Sequence, residues 1–406
     1  MPRPGAPLRP HRTALSLAFS IILLDVMGLT LLFPVGAYLV QRYSQDARHV
    51  ALLSAIYAAG QFCAAPALGY LSDRLGRRPV ILACVFGQAA GYVLFGVGGA
   101  LWILFLARAM AGITGGSIST ATAYIADVST PEERPRNFTL VGIAWGVGLV
   151  IGPAIGAAAG QVRLELPAYI AAALGLASAC LCWFYLPESL PPQRRDRSPF
   201  RLSALNPLGS VLRTFRRPIF VLPLLALCLF NLGFHGANAT EVIYLIQRFG
   251  AAPWQLGALM AGAGVVIALV QGIWVRQLVP RHGEKRTALV ALSVQCAVSA
   301  GTLLATSFVA VVPVILLRNA ASAFVFPSLG GLVSRLAGED EQGQLMGVTA
   351  ALQSLMTALG PAAAGEVHER LFSGAGYALG AVLVGLAAIV ASRLRPAPRP
   401  TPVRAP

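Results

Sequence analysis

Charge is scarce in this 406-residue chain: Asp, Glu, Lys and Arg make up 12% of it, where soluble domains carry about a quarter. With 56% hydrophobic residues and a mean hydropathy of +0.69, that scarcity excludes an ordinary soluble domain and points to an integral membrane protein. Acidic residues are the scarcer sign, 16 against 31 basic, for a formal charge of +15. In a soluble protein such an excess suggests nucleic acid, so the placement of the basic residues decides. Of the 31, 24 fall in segments assigned to one side of the membrane, five on the other (Arg42, Arg48, Arg163, Arg248, Arg370) and two, Arg108 and Arg318, inside apolar runs. This is the positive-inside asymmetry of a multi-pass protein in a bilayer, and no nucleic-acid partner is expected.

Other absences narrow the chemistry. The chain has no GxxxxGK[ST] loop for ATP, no GxSxG elbow and no His/Cys cluster at metal spacing, so we expect neither an enzyme nor a resident cofactor or metal site. Its six cysteines (Cys63, Cys84, Cys180, Cys182, Cys228, Cys296) all lie inside apolar runs and read as small core residues. The first apolar run lacks a small-residue cleavage site and contains Asp25, so it reads as a retained helix and not a signal peptide.

A bilayer core of about 30 Å takes roughly twenty residues of helix. Twelve runs are long enough: 13–36, 50–71, 79–98, 101–124, 138–160, 167–187, 219–244, 252–275, 287–306, 309–333, 345–365 and 373–393. The expected fold is therefore an all-α membrane protein of twelve spans, with both termini on the basic, cytoplasmic side. The expected organisation is a six-helix half over 1–187, a Pro- and Arg-rich cytoplasmic linker over 188–218, a second half over 219–394 and a disordered tail over 395–406. Duplication supports the halves. Gly152-Pro153 recurs as Gly360-Pro361 and Glu132-Glu133 as Asp340-Glu341, both offset by 208, and Arg108 recurs as Arg318, offset by 210.

Between the second and third spans lies a charged knot, GYLSDRLGRR, with Gly69, Asp73, Arg74, Gly76, Arg77 and Arg78. It reads as a loop in which Asp73 and Arg77, four apart, can pair. GxxxDRxGRR in this position resembles the signature loop of the major facilitator superfamily of transporters, and 276–286 looks like its degraded partner, with Arg276, Arg281, Gly283, Lys285 and Arg286 but no aspartate.

Polar groups within spans are costly, about 2.5 to 3.5 kcal/mol for a charge at a helix centre, so each needs a reason. Asp25, in ILLDVMG of the first span, is either a proton or substrate group or a carboxylate locked to an arginine. Arg108, in the fourth span, precedes Gly112, Gly115 and Gly116; it either takes part in proton coupling, as its resemblance to the superfamily's helix-4 arginine motif implies, or snorkels to the interface. The fifth span reads GVGLVIGPAIG, and Gly148, Gly152, Pro153 and Gly156 resemble the superfamily's antiporter motif: a close-packing stripe with a bend that seals a pathway in one conformation. In the seventh span Asn231, His235, Asn238 and Glu241 fall on one helical face, a polar wall for a cavity unless Glu241 reaches the outer surface. His235 either titrates near neutrality or satisfies a local hydrogen bond. Gln61, Gln271 and Gln353 are neutral groups suited to orienting a polar ligand.

Longer stretches (LLDVMGLTLLFPV, IYAAGQFCAAPALGYLSDRLGRRPV, RAMAGITGG, TAYIADVSTPEERPRNF and EDEQGQLMGVTAALQSLMTALGP) resemble the bacterial tetracycline-efflux transporters, proton antiporters of the cytoplasmic membrane that export a metal-chelated drug. The resemblance implies Asp25 as the proton-coupling carboxylate, Gln61 as a substrate contact, Asp73, Arg74, Arg77 and Arg78 as the gating loop, and Arg108 and Asp127 as supporting charges. It also implies a monomer whose partners are protons, a small drug and the bilayer, with a divalent metal entering only with the drug. One departure stands out: where those transporters carry a helix-8 histidine this chain has Ile267, so either His235 substitutes from the seventh span or the drug is a different one. The expected activity is proton-coupled multidrug or tetracycline-type efflux. The rivals are a proton-coupled metabolite or sugar symporter, an exporter of a self-made natural product, and a membrane scaffold or sensor.

Overall fold

The computed structural model describes residues 11–130, 133–195, 211–212, 214–335 and 342–394. The expected tail, much of the expected linker, Glu132 and the Asp340-Glu341 pair lie outside these residues. In lipid every backbone N–H and C=O has to be satisfied within its own segment, and the chain answers with helices throughout. An amino-terminal set comprises α1 (His11–Leu31), α2 (Phe33–Gln41), α3 (Ala47–Leu75), α4 (Arg77–Val97), α5 (Leu101–Ile113), α6 (Ser117–Val128), α7 (Arg134–Val162) and α8 (Leu166–Tyr185). A carboxyl-terminal set comprises α9 (Pro218–Phe249), α10 (Pro253–Leu269), a π-helical turn (Val270–Val275), α11 (Arg276–His282), α12 (Glu284–Thr302), α13 (Phe308–Arg335), α14 (Gln342–Arg370) and α15 (Ala375–Ser392).

Among the described residues ten helical units are long and apolar enough to cross a membrane. The stretches expected as the ninth and eleventh spans form α12 and α14, which fall short of that apolarity: α12 spends its first turn on Glu284, Lys285 and Arg286, and α14 closes on Glu366, His368, Glu369 and Arg370. The first expected span is interrupted at Leu32, before α2 with Pro34 in its first turn, and the fourth between Ile113 and Ser117 at Gly115 and Gly116.

The stretch expected as a loop at 69–78 is not one. Helix α3 runs to Leu75 and α4 starts at Arg77, so Gly76 alone turns the chain, at φ 107°. Gly283 makes the same one-residue turn at φ 82° between α11 and α12. Such a φ is open to glycine and strained for other residues, which is why the glycine outlives the aspartate in the degraded copy.

One large hydrophobic cluster joins both sets at the face opposite Gly76, with Leu31, Val35, Leu39 and Val40 from one side and Tyr244, Leu245, Leu256 and Ile315 from the other. Toward the Gly76 face the clusters divide by set, Ile21, Ile22 and Tyr124 in one, Phe230, Leu292 and Leu329 in another. Lipid supplies no hydrophobic drive between helices, so close packing has to hold the junction. A Cβ added to Gly257 would lie 2.9 Å from the Pro153 carbonyl oxygen, one on Gly264 3.0 Å from Val150, and one on Gly365 3.3 Å from the Arg48 backbone. By contrast, Gly69, Gly142, Gly146, Gly272 and Gly347 have no such neighbour within 4 Å. Among the described residues, the core cluster and polar contacts that join the two sets gather at the far face, away from Gly76.

Two of the cysteines are not core residues: Cys63 and Cys180 are exposed, while Cys84 and Cys182 are buried and Cys228 and Cys296 lie between. A helix in lipid satisfies its backbone by itself, so an apolar run is no proof that a given side chain faces protein.

Candidate functional site

Three groups of side chains sit along the line where the sets face each other. In the first, α1 carries Asp25, which is 3% exposed and has no ion-pair partner. The Ser117 hydroxyl at the start of α6 faces it, and Tyr92 from α4 packs its ring on Gly28, one turn along α1, with its own hydroxyl lacking a partner. Arg108 on α5 neither reaches the interface nor pairs with Asp25. It is buried, donates from Nε to the Leu53 carbonyl at 3.3 Å and lies 4.4 Å over the Tyr57 ring, which spreads its charge over a backbone dipole and a π face. Gly60 and Gly112 make this possible by letting α3 and α5 touch backbone to backbone. Gln61 donates to the Gly115 carbonyl at 3.2 Å and so fastens the interruption between α5 and α6.

The second group is in the carboxyl-terminal set and divides the polar series of the seventh span. Asn238 and Glu241 turn to Arg318 of α13, whose Nη2 donates to Asn238 Oδ1 at 2.7 Å and to Glu241 Oε2. The Tyr377 hydroxyl donates to the same Glu241 oxygen at 2.9 Å. Glu241 is therefore buried in an ion pair and not at the outer surface. His235 sets its ring edge-on to Phe234, and its Nε2 has no partner. Asn231, one turn nearer the basic face, lines a cavity of about 370 Å³ that Gln353 of α14 also lines. Gln271 is exposed, in the π-helical turn of the eighth unit. Ile267 is partly buried on α10.

The third group is the turn at Gly76. Arg77 binds Asp73 at 2.6 Å, Asp127 at 3.0 Å and the Ser72 hydroxyl at 2.6 Å. Arg78 donates to the Trp183 carbonyl, and Arg74 stacks on Tyr70 at 4.7 Å. Gly69 looks onto open space. The stripe of Gly148, Gly152 and Gly156 packs against α1 at Val26, Thr30 and Leu31, where the Thr30 hydroxyl donates to the Gly148 carbonyl at 3.0 Å. Pro153 lies within an unbroken α7 and turns its carbonyl to Gly257 across the junction.

Several partners escaped the sequence reading. Arg318 was marked by its 210-residue offset from Arg108 but not singled out as a site residue. Tyr57, Tyr92 and Tyr377 carried no signal, because a tyrosine in an apolar run reads as core. Glu188 accepts from the Arg77 backbone N–H at 2.9 Å and Ser189 donates to Asp127 at 3.1 Å, so the start of the linker braces the turn. At the far face Glu369 accepts from the Ala47 N–H at 2.9 Å and Arg48 pairs with Glu366 at 3.7 Å, both across the junction.

Comparison with known proteins places the chain among transporters. The chain is 34% identical to the class C tetracycline resistance protein of Escherichia coli over 353 residues, 86% of this chain and 88% of that protein. It is 32% identical to the class D protein of Salmonella ordonez over 96% of this chain and 98% of that one. The crystal structure of the human organic anion transporter MFSD10 superposes with a TM-score of 0.72 at 25% identity, covering 94% of this chain and 99% of that one. The sequence pattern of the Major Facilitator Superfamily matches residues 18–361, and the chain belongs to that superfamily.

Proposed function

We propose that the chain exports a small drug-like molecule from the cytoplasm in exchange for protons, by alternating access. The reading takes the basic face as cytoplasmic, in line with the positive-inside asymmetry, so that the structure corresponds to the inward-open state. The observation that carries the coupling is Asp25: a carboxyl group 3% exposed on α1 with no counter-ion, faced by the Ser117 hydroxyl and close to that of Tyr92. Burying an ionised carboxylate without a partner costs several kcal/mol, so the group is suited to exchange a proton as the cavity opens and closes. Arg108, held apart by Leu53 and Tyr57, keeps a positive charge in the same half without quenching Asp25. Energy then comes from the gradient, about 2.3 kcal/mol per charge per 100 mV. The similarity to tetracycline resistance proteins supports efflux of tetracycline-type compounds, and the glycine stripe on α7 supports antiport over symport.

Proton movement in everted vesicles tests this. Adding tetracycline to energised vesicles is expected to alkalinise the lumen with the parent chain and to do nothing with Asp25→Asn, which still binds drug. Uphill export surviving in Asp25→Asn refutes the role of Asp25.

A further inference from the structure

We propose that the cavity between α9, α13 and α14 is a binding site selective for uncharged, largely apolar molecules bearing one hydrogen-bond donor. The proposal deepens the efflux reading by naming a substrate class, and rests on that reading only for why such a site exists.

Three observations carry it. The cavity is about 370 Å³, within the range that takes a drug-sized ligand. Its walls are mostly apolar, with Leu224, Leu227, Phe326 and Leu352, and no described residue lining it is an Asp, Glu, Lys, Arg or His. A ligand charge, including that of a metal chelate, would therefore lose its hydration with no counter-ion in return. Third, Asn231 lines the cavity at 3% exposure with half of its amide spoken for: Nδ2 donates to the Leu227 carbonyl at 2.8 Å, while Oδ1 has no partner. The amide orientation follows from that bond. What remains is a buried acceptor, which a ligand O–H or N–H satisfies and an ether or ester does not. A site built to pair a polar group discriminates against the analogue that leaves it unpaired.

The placement suits transport. Asn231 is one turn from His235 and two turns from Asn238 on the same helix, so a molecule seated there touches the helix that carries Glu241, the partner of Arg318 on α13. Gln353, exposed on α14, stands on the open side of the cavity.

The test uses the full chain in lipid nanodiscs with two probes, para-butylphenol and its methyl ether para-butylanisole, titrated by calorimetry without a proton gradient. One neutral hydrogen bond corresponds to a preference of about two- to twelvefold for the phenol. Asn231→Leu, close in volume, is expected to bind both probes alike, at the affinity the parent shows for the ether, and this retained binding reports that the variant is folded. Leu227→Trp, which fills the cavity, is expected to bind neither. Equal affinities in the parent, a phenol preference that survives Asn231→Leu, or undiminished binding in Leu227→Trp overturns the proposal. Tetracycline export from the same preparations is scored separately: export without phenol selectivity rejects this site and keeps the efflux reading, and selectivity without export does the reverse.

Discussion

Replacing Glu369 with alanine should open the far face by a calculable amount. The Ala47 N–H is the first of α3, and the Glu369 carboxylate that accepts from it comes from the last turn of α14, across the junction. Asp46 caps the same end from its own side, accepting from the Arg48 N–H at 2.8 Å. A helix N-terminus carries roughly half a positive charge, and a surface anion there contributes about 0.3–1 kcal/mol. Glu369 is exposed, so the larger figure for a hydrogen bond to a buried charge does not apply. The contact exists only while the far face is closed, so its loss is differential stabilisation and shifts the equilibrium toward the state open at that face by about two- to fivefold. The assay is maleimide reactivity of single cysteines placed at each face in a chain freed of its own six. The far-face rate should rise by that factor in Glu369→Ala, and the gain should shrink in 1 M salt, where the screening length falls to about 3 Å. Asp46→Ala removes a cap within one set, so it should lower the melting temperature without moving the ratio of states. An unchanged far-face rate in Glu369→Ala, or an equal shift in Asp46→Ala, would refute the reasoning.

Asp73 should act in the opposite sense. It is half exposed and bound to Arg77, and on closure of the basic face it is expected to meet the N-terminus of α14, so Asp73→Asn should favour the present open state by up to about thirtyfold in the same labelling assay. Gly283 marks the copy without an aspartate, and mutations there should shift the ratio less. Glu241→Gln leaves Arg318, 1% exposed, without its counter-ion, a loss of up to about 3–5 kcal/mol that a thermal melt detects; a melting temperature equal to the parent's would show that Asn238 and the flanking rings suffice. Acid should destabilise the amino-terminal set. The hydrogen bond from Arg48 holds the Asp46 carboxyl below its usual value of 3.8, and Glu165, through its own backbone N–H and then Arg42, lies below its usual 4.5. Depressed carboxylates stabilise the fold above those ordinary values and cease to as pH falls through the lowered ones, so melting temperature should drop as pH falls below about 4.5. The drop should be shallower in Asp46→Asn, and identical slopes would count against the assignment.

How much of this was legible in the residues depends on whether the physics was local. Membrane class and ten of the twelve expected spans follow from apolar run lengths near twenty residues, because a helix in lipid satisfies its backbone within its own segment. The charged turn was legible too, since Asp73 and Arg77 are one helical turn apart, though a sequence that bristles with charge reads as a loop when Gly76 alone breaks the helix. Partnership was not legible. Asp25 and Arg108 are both charges inside spans and look alike in sequence, yet one faces only hydroxyls with no counter-ion and the other lies over Tyr57 with its Nε on Leu53, where Gly60 and Gly112 let α3 approach α5. Likewise the seventh-span series looked like one polar wall; the position of α13 divided it, drawing Asn238 and Glu241 to Arg318 and leaving Asn231 to the cavity. The sequence by itself determined the membrane class and most of the segments apolar enough to span, with the charges they carry, because burial in lipid acts on each segment alone. Tertiary structure decided which of those charges are paired and where the two sets meet, because those depend on contacts between helices hundreds of residues apart, such as Ala47 with Glu369.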